Sequence, residues 1–399
     1  MTAPLLLDLT HTSHTGARTG IQRVTRTLHA VLGSRAIAIC HDPYAGTWRE
    51  LEPWEKANLS LTGTAGGKRG AHWPLSARLR GRLRRWLALH PSPATRRLPT
   101  AEGLLVPEVF SPAVAAALPA LLAATGGPRV ALFHDAIALK FPELTPGKTV
   151  ARFPAYLRQL LWFDGIAAVS EDSRQSLLDY WQWLGVADTP PIVAIPLGID
   201  VPRSSAPDTL SGRDQPPVIL SVGSIEGRKN HLALLEASEQ LWAAGTRFEL
   251  RLIGLAQPQT GRAALERLRA LQAAGRPLRY DGPVDDVALE AAYAGCTFTV
   301  YPSLIEGFGL PVLESLARGK PCVCSAHGAL GESARGGGCV NLPSVDSASL
   351  AAAMTRLLAN PAERAALALA AQARQFKTTS TYAGELLGWM SGLPHRNPV

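Results

Sequence analysis

The chain has 399 residues, enough for two or three domains that each bury their own core. With 46% hydrophobic and 18% charged residues, its composition excludes a disordered chain, a collagen and a coiled coil. The most apolar stretch, residues 113–124, contains Pro119 and is too short to span a bilayer. The N-terminus reaches Asp8 without a basic segment, so no signal peptide is expected.

The cysteines are few, and their odd number and spacing do not indicate a disulfide framework. We expect reduced thiols in a cytoplasmic protein. Cys322 and Cys324 are interpreted as lying on alternate faces of a strand, which argues against a metal site there. The five are Cys40, Cys296, Cys322, Cys324 and Cys339.

The formal net charge of +8 arises from one segment. Residues 68–97 contain nine basic and no acidic side chains, which leaves the remainder of the chain at about −1. On a helix, Leu79, Leu83, Trp86 and Leu87 would share one stripe, with the arginines largely elsewhere. This pattern predicts a helix lying on an anionic membrane surface, here the inner face of the cytoplasmic membrane.

Two alternatives remain for the basic segment. Its apolar stripe would pack on its own domain if the segment were a solvated insertion. Nucleic acid is a weaker alternative, because no helix-turn-helix, zinc finger or RNA-binding motif accompanies the charge.

The first half of the chain begins with an amphipathic helix. It opens at Thr19, and Ile21, Val24, Leu28 and Val31 lie on one face. Buried strands are predicted at residues 130–135, 166–170 and 192–200. The second leads into a helix that Ser170 caps, with Glu171 and Asp172 in its first turn.

Residues 201–217 are rich in Pro, Ser and Asp and form the best candidate linker. After them, apolar runs alternate with helical stretches at 231–243, 260–274, 285–295 and 311–318. Such alternation predicts a doubly wound parallel sheet, and thus two α/β domains that face each other across a cleft. We expect domains at 1–200, with the basic insertion at 68–97, and at 218–380. A C-terminal helix and tail follow at 381–399.

The first chemical motif follows a predicted strand at residues 223–230, with the sequence GSIEGRKN. Arg228 and Lys229 precede a helix N-terminus, which adds backbone N–H groups and the positive end of the helix dipole. This combination predicts a diphosphate site. The alternative is a solvated turn.

The second motif, SLIEGFGLPVLE, covers residues 303–314. Glu306 is predicted in the loop and Glu314 in the first turn of the helix that Pro311 begins. Gly307 and Gly309 would let the backbone approach a ligand closely. The two carboxylates are suited to holding sugar hydroxyls, although a carboxylate at a helix start can simply offset the dipole.

These two motifs, about 75 residues apart, resemble the nucleotide-sugar half of retaining GT-B glycosyltransferases of family 4. The resemblance implies two Rossmann-like domains, with Glu314 on the nucleotide ribose and Glu306 on the donor sugar. It places Arg228 and Lys229 on the diphosphate. Some family members have an arginine where this chain has Ser224. Here Arg228 and Lys229 would therefore bind the diphosphate without that additional cation. Donor contacts from the second motif would come from Gly307, Phe308, Gly309 and Leu310.

The N-terminal half also resembles this family, and the resemblance is weak only from about residue 42 to 104. In the family, a glycine loop contacts the donor phosphates, and Gly20 occupies that place here. His134 resembles the family histidine near the donor sugar, although a lone histidine is more often structural.

The residues favour transfer without a metal or other cofactor, because the chain lacks an Asp-x-Asp motif and a His/Cys cluster at metal spacing. Positive groups would stabilise the leaving diphosphate. We prefer a front-face reaction in which the leaving phosphate accepts the acceptor's proton, with His134 and Glu306 as catalytic residues. The alternative is a double displacement with Glu306 as nucleophile.

The expected activity is the transfer of one sugar to a lipid-linked or surface-polysaccharide acceptor. Residues 19–24, TGIQRV, resemble mannosyl- and rhamnosyltransferases, which makes GDP-mannose the first candidate donor. A NAD-dependent oxidoreductase would share doubly wound domains, but no Gly-x-Gly-x-x-Gly turn is present. A non-catalytic scaffold bound through the basic segment is the third alternative.

Overall fold

A computed structural model describes residues 4–17, 19–60, 70–88, 98–200 and 216–396. The chain divides into two units. The N-terminal unit comprises Met1–Asp135, Ala151–Gly198 and Thr379–Val399, and the C-terminal unit comprises Ala136–Val150 and Ile199–Thr378. Most of the predicted linker, residues 201–215, lies outside the described residues.

The N-terminal unit contains a seven-stranded sheet in the order β3-β2-β1-β4-β5-β6-β7. Its strands are parallel except for β3, which pairs antiparallel with β2 at the sheet edge. The central strands are buried along their whole length, as expected for a parallel sheet covered on both faces. The strands are β1 (Leu5–Asp8), β2 (Ala36–Asp42), β3 (Thr47–Glu50), β4 (Leu104–Val106), β5 (Arg129–Phe133), β6 (Gly165–Ala168) and β7 (Ile192–Ala194).

Helices connect these strands. Ser170 accepts a hydrogen bond from the Ser173 N–H, so the predicted N-cap is confirmed. The helices are α1 (Gly20–Leu32), α2 (Pro53–Ala57), α3 (Leu75–Ala88), α4 (Pro112–Ala124), α5 (Ile137–Lys140), α6 (Gly147–Gln159) and α7 (Glu171–Trp183).

The first of these helices, α1, was predicted as amphipathic. Of the four apolar residues predicted to share one of its faces, Leu28 is buried and the other three are partly buried. The buried face also carries Gln22 and Arg26. Arg26 donates to the carbonyls of Ala17 and Thr15, both at 2.7 Å. These hydrogen bonds allow the arginine to be buried beside apolar side chains, which the apolar periodicity alone does not indicate.

The C-terminal unit contains a six-stranded, fully parallel sheet in the order β10-β9-β8-β11-β12-β13. The predicted doubly wound α/β class is therefore confirmed in both units. Strand β13 was not predicted from the sequence. The strands are β8 (Val218–Val222), β9 (Glu249–Ile253), β10 (Leu278–Tyr280), β11 (Phe298–Tyr301), β12 (Cys322–Ser325) and β13 (Cys339–Leu342).

The first four helices listed here for the C-terminal unit agree with the predicted ranges to within one or two residues, and the three that follow them were not predicted. They are α8 (His231–Ala243), α9 (Pro258–Ala273), α10 (Asp286–Gly295), α11 (Leu310–Ala317), α12 (Gly328–Ala334), α13 (Ser347–Ala359) and α14 (Pro361–Gln372). A last helix, α15 (Thr379–Ser391), belongs to the N-terminal unit and packs against α1.

The strand order creates a switch point in each sheet. In the C-terminal unit the chain winds outward from β8 to β10, returns to the other side of β8, and continues through β11, β12 and β13. The loops after β8 and β11 therefore diverge at the carboxyl edge and leave a crevice there, where doubly wound folds bind ligands.

The prediction for Cys322 and Cys324 was wrong. Both side chains lie on the same face of β12, in one buried cluster with Val312 and Leu316. Val323, which stands between them in sequence, belongs to a different hydrophobic cluster of the unit. Side chains alternate along a strand, so residues two apart share a face.

The apolar stripe of the basic segment faces outward, which contradicts the alternative that it packs on its own domain. Leu79, Leu83, Trp86 and Leu87 on α3 are between 48% and 64% exposed. Among the residues that the structure describes, no helix is long and apolar enough to cross a membrane.

Candidate functional site

The two sequence motifs meet at the switch point of the C-terminal unit. The first follows β8 and the second follows β11, which are hydrogen-bonded neighbours. The Leu304 N–H donates to the Arg228 carbonyl at 2.9 Å, so the loops are joined directly. Parallel pairing of strands distant in sequence thus places both motifs at one edge of the sheet.

A buried charged cluster lies where the loops join. The Glu306 carboxylate contacts Arg228 Nη1 through Oε2 at 2.7 Å and Lys229 Nζ through Oε1 at 2.6 Å. The Tyr301 hydroxyl donates to Glu306 Oε1 at 2.9 Å and also contacts Lys229 Nζ. Arg228 is shared with a second carboxylate, because its Nη2 is 2.8 Å from Glu226 Oε1.

The Glu306 carboxylate stays ionised despite its burial. Burial alone would raise the pKa of Glu306, but Arg228 and Lys229 outweigh that effect and lower it to about 2. Burial lowers the pKa of Lys229, and the Glu306 carboxylate opposes this change. The side chain of Arg228 is 24% exposed and that of Lys229 is 9% exposed, so Arg228 is the more accessible cation.

The first loop is fixed by local contacts. Its Ile225 N–H donates to Leu255 O at 2.9 Å, and Ser224 lies half-buried beside it. Asn230 adopts a left-handed conformation with φ of 54°, and its side-chain amide donates to Val345 O at 2.8 Å. This turn directs the chain from the cations straight into α8.

The second motif forms a tight turn before α11. Gly309 has φ of 96°, and a Cβ there would lie 3.0 Å from the Leu330 side chain, so glycine is required. Phe308 is held by its carbonyl, which accepts from the Ser333 hydroxyl at 2.5 Å. The intervening Gly307 is half-buried.

The placement of Glu314 differs from prediction in one respect. Helix α11 begins at Leu310, so Pro311 is its second residue and Glu314 its fifth, outside the first turn. Glu314 is 3% exposed, and the Tyr293 hydroxyl lies 3.5 Å from its Oε2. A carboxylate there is too far along the helix to serve mainly as dipole compensation, which weakens that alternative.

The N-terminal unit has a polar cluster at its own switch point, between β1 and β4. Glu108 is buried after β4 and accepts from the N–H groups of His11 at 3.0 Å and Thr12 at 3.1 Å. Asp8, the last residue of β1, accepts from the Thr10 N–H at 2.9 Å. Burial raises the pKa of Asp8 to about 7, with the Glu108 charge adding to the effect.

The two residues predicted in this unit lie near that edge. His134 follows β5 and is buried, with Nε2 2.7 Å from Pro107 O. Burial lowers its pKa, and the neutral ring must donate its Nε2–H to that carbonyl. Gly20 is the exposed first residue of α1, and a Cβ there would meet nothing within 4 Å.

The structure thus joins Arg228, Lys229 and Glu306 directly. Gly20 and His134 belong to the other unit. The sequence interpretation missed Tyr301 at this cluster, and Asp8 and Glu108 in the N-terminal unit. All three end or closely follow buried strands, and this position was the available signal.

Three known proteins resemble the chain over different lengths. It is 26% identical over 336 residues to the serotype-specific mannosyltransferase WbdA of Escherichia coli, covering 81% of this chain and 38% of WbdA. It is 32% identical over 211 residues to the O-antigen chain mannosyltransferase B of the same organism, covering 49% of this chain and 52% of the relative. The chain therefore spans between about two fifths and one half of these relatives. The structure of HepE from Anabaena in complex with UDP and glucose matches with a TM-score of 0.68 and 16% identity, covering 98% of this chain and 100% of that one.

Residues 206–374 match the family described as Glycosyl transferases group 1, and the match contains both motifs of the charged cluster. This match shows that residues 206–374 resemble the group 1 glycosyltransferases, and the similarity to HepE over 98% of the chain shows that its two sheets have the GT-B fold.

Proposed function

We propose that this chain transfers a hexose, with retention and without a metal, from a nucleoside diphosphate sugar to a lipid-linked or polysaccharide acceptor. One observation carries the proposal: the loops after β8 and β11 join Arg228, Lys229 and Glu306 at a sheet switch point. Buried cations beside a carboxylate suit a ligand with a diphosphate next to a sugar.

Arg228 is the residue best placed to take the diphosphate. Its guanidinium has five N–H donors in a planar fork, which suits phosphate oxygens. Glu226 and Glu306 pair with the two cations, so phosphate binding must compete with these carboxylates. The N-terminus of α8 directly follows the cations and adds the positive end of its dipole.

The leaving diphosphate gains negative charge as the glycosidic bond breaks, and the fixed cations stabilise that charge without reorganising. In the front-face reaction, the leaving phosphate oxygen takes the proton from the acceptor hydroxyl as the new bond forms on the same face. Glu306 and His134 orient the sugar in this scheme and stabilise positive charge at its ring. The Glu306 carboxylate is ionised at neutral pH, as a nucleophile must be. A glycosyl adduct trapped on Glu306 would therefore show that the reaction is a double displacement and not a front-face transfer.

Two relatives support mannose as the sugar, since WbdA and the O-antigen chain protein are both named mannosyltransferases. GDP-mannose is therefore the first donor to test. The O-antigen relative likewise supports a polysaccharide acceptor.

Calorimetry with GDP, UDP and dTDP, with and without EDTA, tests the donor site. We expect one nucleotide to bind selectively, binding to be unaffected by EDTA, and Glu314→Ala to weaken it. Glu385→Ala, an exposed carboxylate on α15, is the control and should change nothing. If no nucleotide binds more tightly than about 1 mM, the donor assignment fails and the scaffold alternative takes its place.

Helix α3 supports peripheral attachment to an anionic membrane. Its inner side is held to the N-terminal unit by Arg80 and Arg84, each 2.7 Å from a Glu52 oxygen. Its outer side exposes an apolar stripe, and Arg82 and Arg85 are also exposed. An outward apolar stripe beside exposed arginines matches the interface of an anionic bilayer in both polarity and charge. The stripe comprises Leu75, Leu79, Leu83, Trp86 and Leu87.

Co-sedimentation with vesicles of phosphatidylglycerol or phosphatidylcholine tests this surface. We expect binding to the anionic vesicles that weakens with salt and falls at least about tenfold in the double variant Leu83→Ser/Trp86→Ser. Trp183→Ser is the matched control, because Trp183 is 78% exposed on α7. Equal loss in both variants, or no binding by the wild type, would exclude the membrane role.

A further inference from the structure

Three thiols converge on one face of the C-terminal sheet. Cys322 and Cys339 are the first residues of β12 and β13 and are register partners, and Cys324 follows on the same face of β12. Their sulfur atoms all lie within 4.8 Å of one another. Cys322 and Cys324 are buried and Cys339 is partly exposed, which gives the cluster an opening to solvent.

The spacing fits a thiophilic cation. With metal–sulfur bonds of about 2.3 Å, tetrahedral zinc holds its sulfur ligands about 3.8 Å apart. The three thiols are therefore within about 1 Å of a coordinating arrangement, and rotation about their side-chain bonds closes that gap. The Asn341 Oδ1 atom lies 3.7 Å from Cys324 Sγ and supplies a neutral oxygen beside the cluster.

The Arg374 side chain places a positive charge close enough to Cys339 to interact with its thiol electrostatically. Arg374 is fixed by hydrogen bonds to Ser333 O at 3.0 Å and Gly337 O at 3.3 Å. Three thiolates, one divalent cation and one guanidinium sum to zero charge, which is the condition under which a buried charged group is tolerated.

A second group of potential ligands among the described residues does not share these properties. His14, Cys40 and Glu55 also lie close together. However, both oxygens of Glu55 accept from Arg49 at 2.7 Å, and one also lies 2.8 Å from His14 Nε2. These contacts already satisfy the carboxylate, and a metal ion would have to displace the guanidinium.

We propose that Cys322, Cys324 and Cys339 form a binding site for a single thiophilic d10 cation, with Zn²⁺ as the ion whose charge the site balances. The cation binds as the thiols release their protons to solvent, and no thiol is oxidised. It ties the amino-terminal ends of β12 and β13 together. The Glu306 cluster follows the carboxyl end of β11, so the metal is structural and takes no part in transfer.

Titration of the reduced full-length protein with Cd²⁺ and Zn²⁺ tests the site. We expect one Cd²⁺ per chain, a thiolate-to-cadmium charge-transfer absorption, and a higher melting temperature with Zn²⁺. Cys339→Ser should weaken Cd²⁺ binding by more than about a hundredfold, since even outer-shell changes cost 10- to 100-fold. Cys324→Ser should have the same effect, which guards against one variant that fails to fold.

Cys296→Ser is the matched control, because Cys296 is a buried free thiol in the same unit and its Sγ contacts Tyr293 O instead. Its Cd²⁺ binding should equal that of the wild type. The proposal is overturned if the wild type shows no thiolate absorption on addition of Cd²⁺. It is also overturned if Cys339→Ser and Cys324→Ser retain the full absorption, or if only Cys40→Ser removes it.

Discussion

Replacing Glu306 by glutamine removes a negative charge that both cations of the cluster contact. Its carboxylate lies 2.7 Å from Arg228 Nη1 and 2.6 Å from Lys229 Nζ. In the proposed site a diphosphate must share these cations with Glu306. Glu306→Gln should therefore bind the preferred nucleoside diphosphate more tightly than the wild type, while sugar transfer falls.

The size of the effect follows from the geometry. A phosphate on the far side of the Arg228 guanidinium would lie about 7 Å from the Glu306 carboxylate. At an effective dielectric constant of about 20, two unit charges at that distance repel by about 2 kcal/mol. Because Arg228 is 24% exposed, water screens part of this repulsion. We expect a gain of about 1–2 kcal/mol, or about 5- to 30-fold in Kd.

The assay compares nucleotide calorimetry with the initial rate of transfer from the donor sugar. Transfer should fall by about 100-fold or more in Glu306→Gln, because the charge that stabilises the sugar ring is lost. The pKa of Glu306 is about 2, so the affinity difference should not change with pH above about 7, where the terminal phosphate of the nucleotide (pKa about 6) is also ionised. Glu239→Gln is the control, since Glu239 pairs with Arg276 at 2.6 Å elsewhere in the unit. Weaker nucleotide binding in Glu306→Gln would refute the competition argument and show that Glu306 serves mainly to position the cations.

Three further changes test other parts of the structure. The folded pKa of Asp8 is about 7 against an ordinary 3.8, so the folded protein keeps a proton that the unfolded chain releases, and stability falls as pH rises between these values. Asp8→Asn should remove this pH-dependent loss of unfolding free energy, which amounts to at most about 4 kcal/mol. The melting temperature should therefore rise at pH 7 and change little near pH 4. Asp164→Asn should lower the free energy of unfolding, measured with urea, by about 3–5 kcal/mol. The substitution breaks a buried ion pair in which Asp164 Oδ1 lies 2.7 Å from Arg129 Nη2. Gly254→Ala should abolish nucleotide binding, because the new Cβ would lie 2.0 Å from the Gly223 carbonyl oxygen and displace the first loop.

Each of these changes has a matched control. Asp188→Asn alters an exposed partner of Arg396 and should leave the unfolding midpoint unchanged. Gly295→Ala adds a Cβ that meets nothing within 4 Å and should retain nucleotide binding. For Asp8, the wild type measured across the same pH range is the reference. A melting-temperature difference between Asp8→Asn and the wild type that does not change with pH would contradict the assigned titration.

The sequence by itself determined the α/β class and the position of both motifs. Buried parallel strands are short apolar runs that polar loops terminate, and this signal is local to each run. Residues 231–243 were predicted as a helix and form α8 without change. Arg228, Lys229 and Glu306 could be singled out because charged residues directly after such runs lie at the ligand-binding edge.

Only the tertiary structure decided which of these residues touch. The pairing of β11 with β8 brings Glu306 to Arg228 across 78 positions of sequence, and the sequence pattern does not state strand order. The same holds for Tyr301, which became part of the cluster only through its contacts with Lys229 and Glu306.

The remaining differences also arise from packing. The sequence indicated the apolar stripe on α3, but its outward direction depends on the ion pairs of Arg80 and Arg84 with Glu52. Cys339 joins Cys322 because β13 pairs with β12 in one register. Periodicity describes which residues share a face of one element, whereas the partner of that face is chosen by the free energy of packing the whole chain.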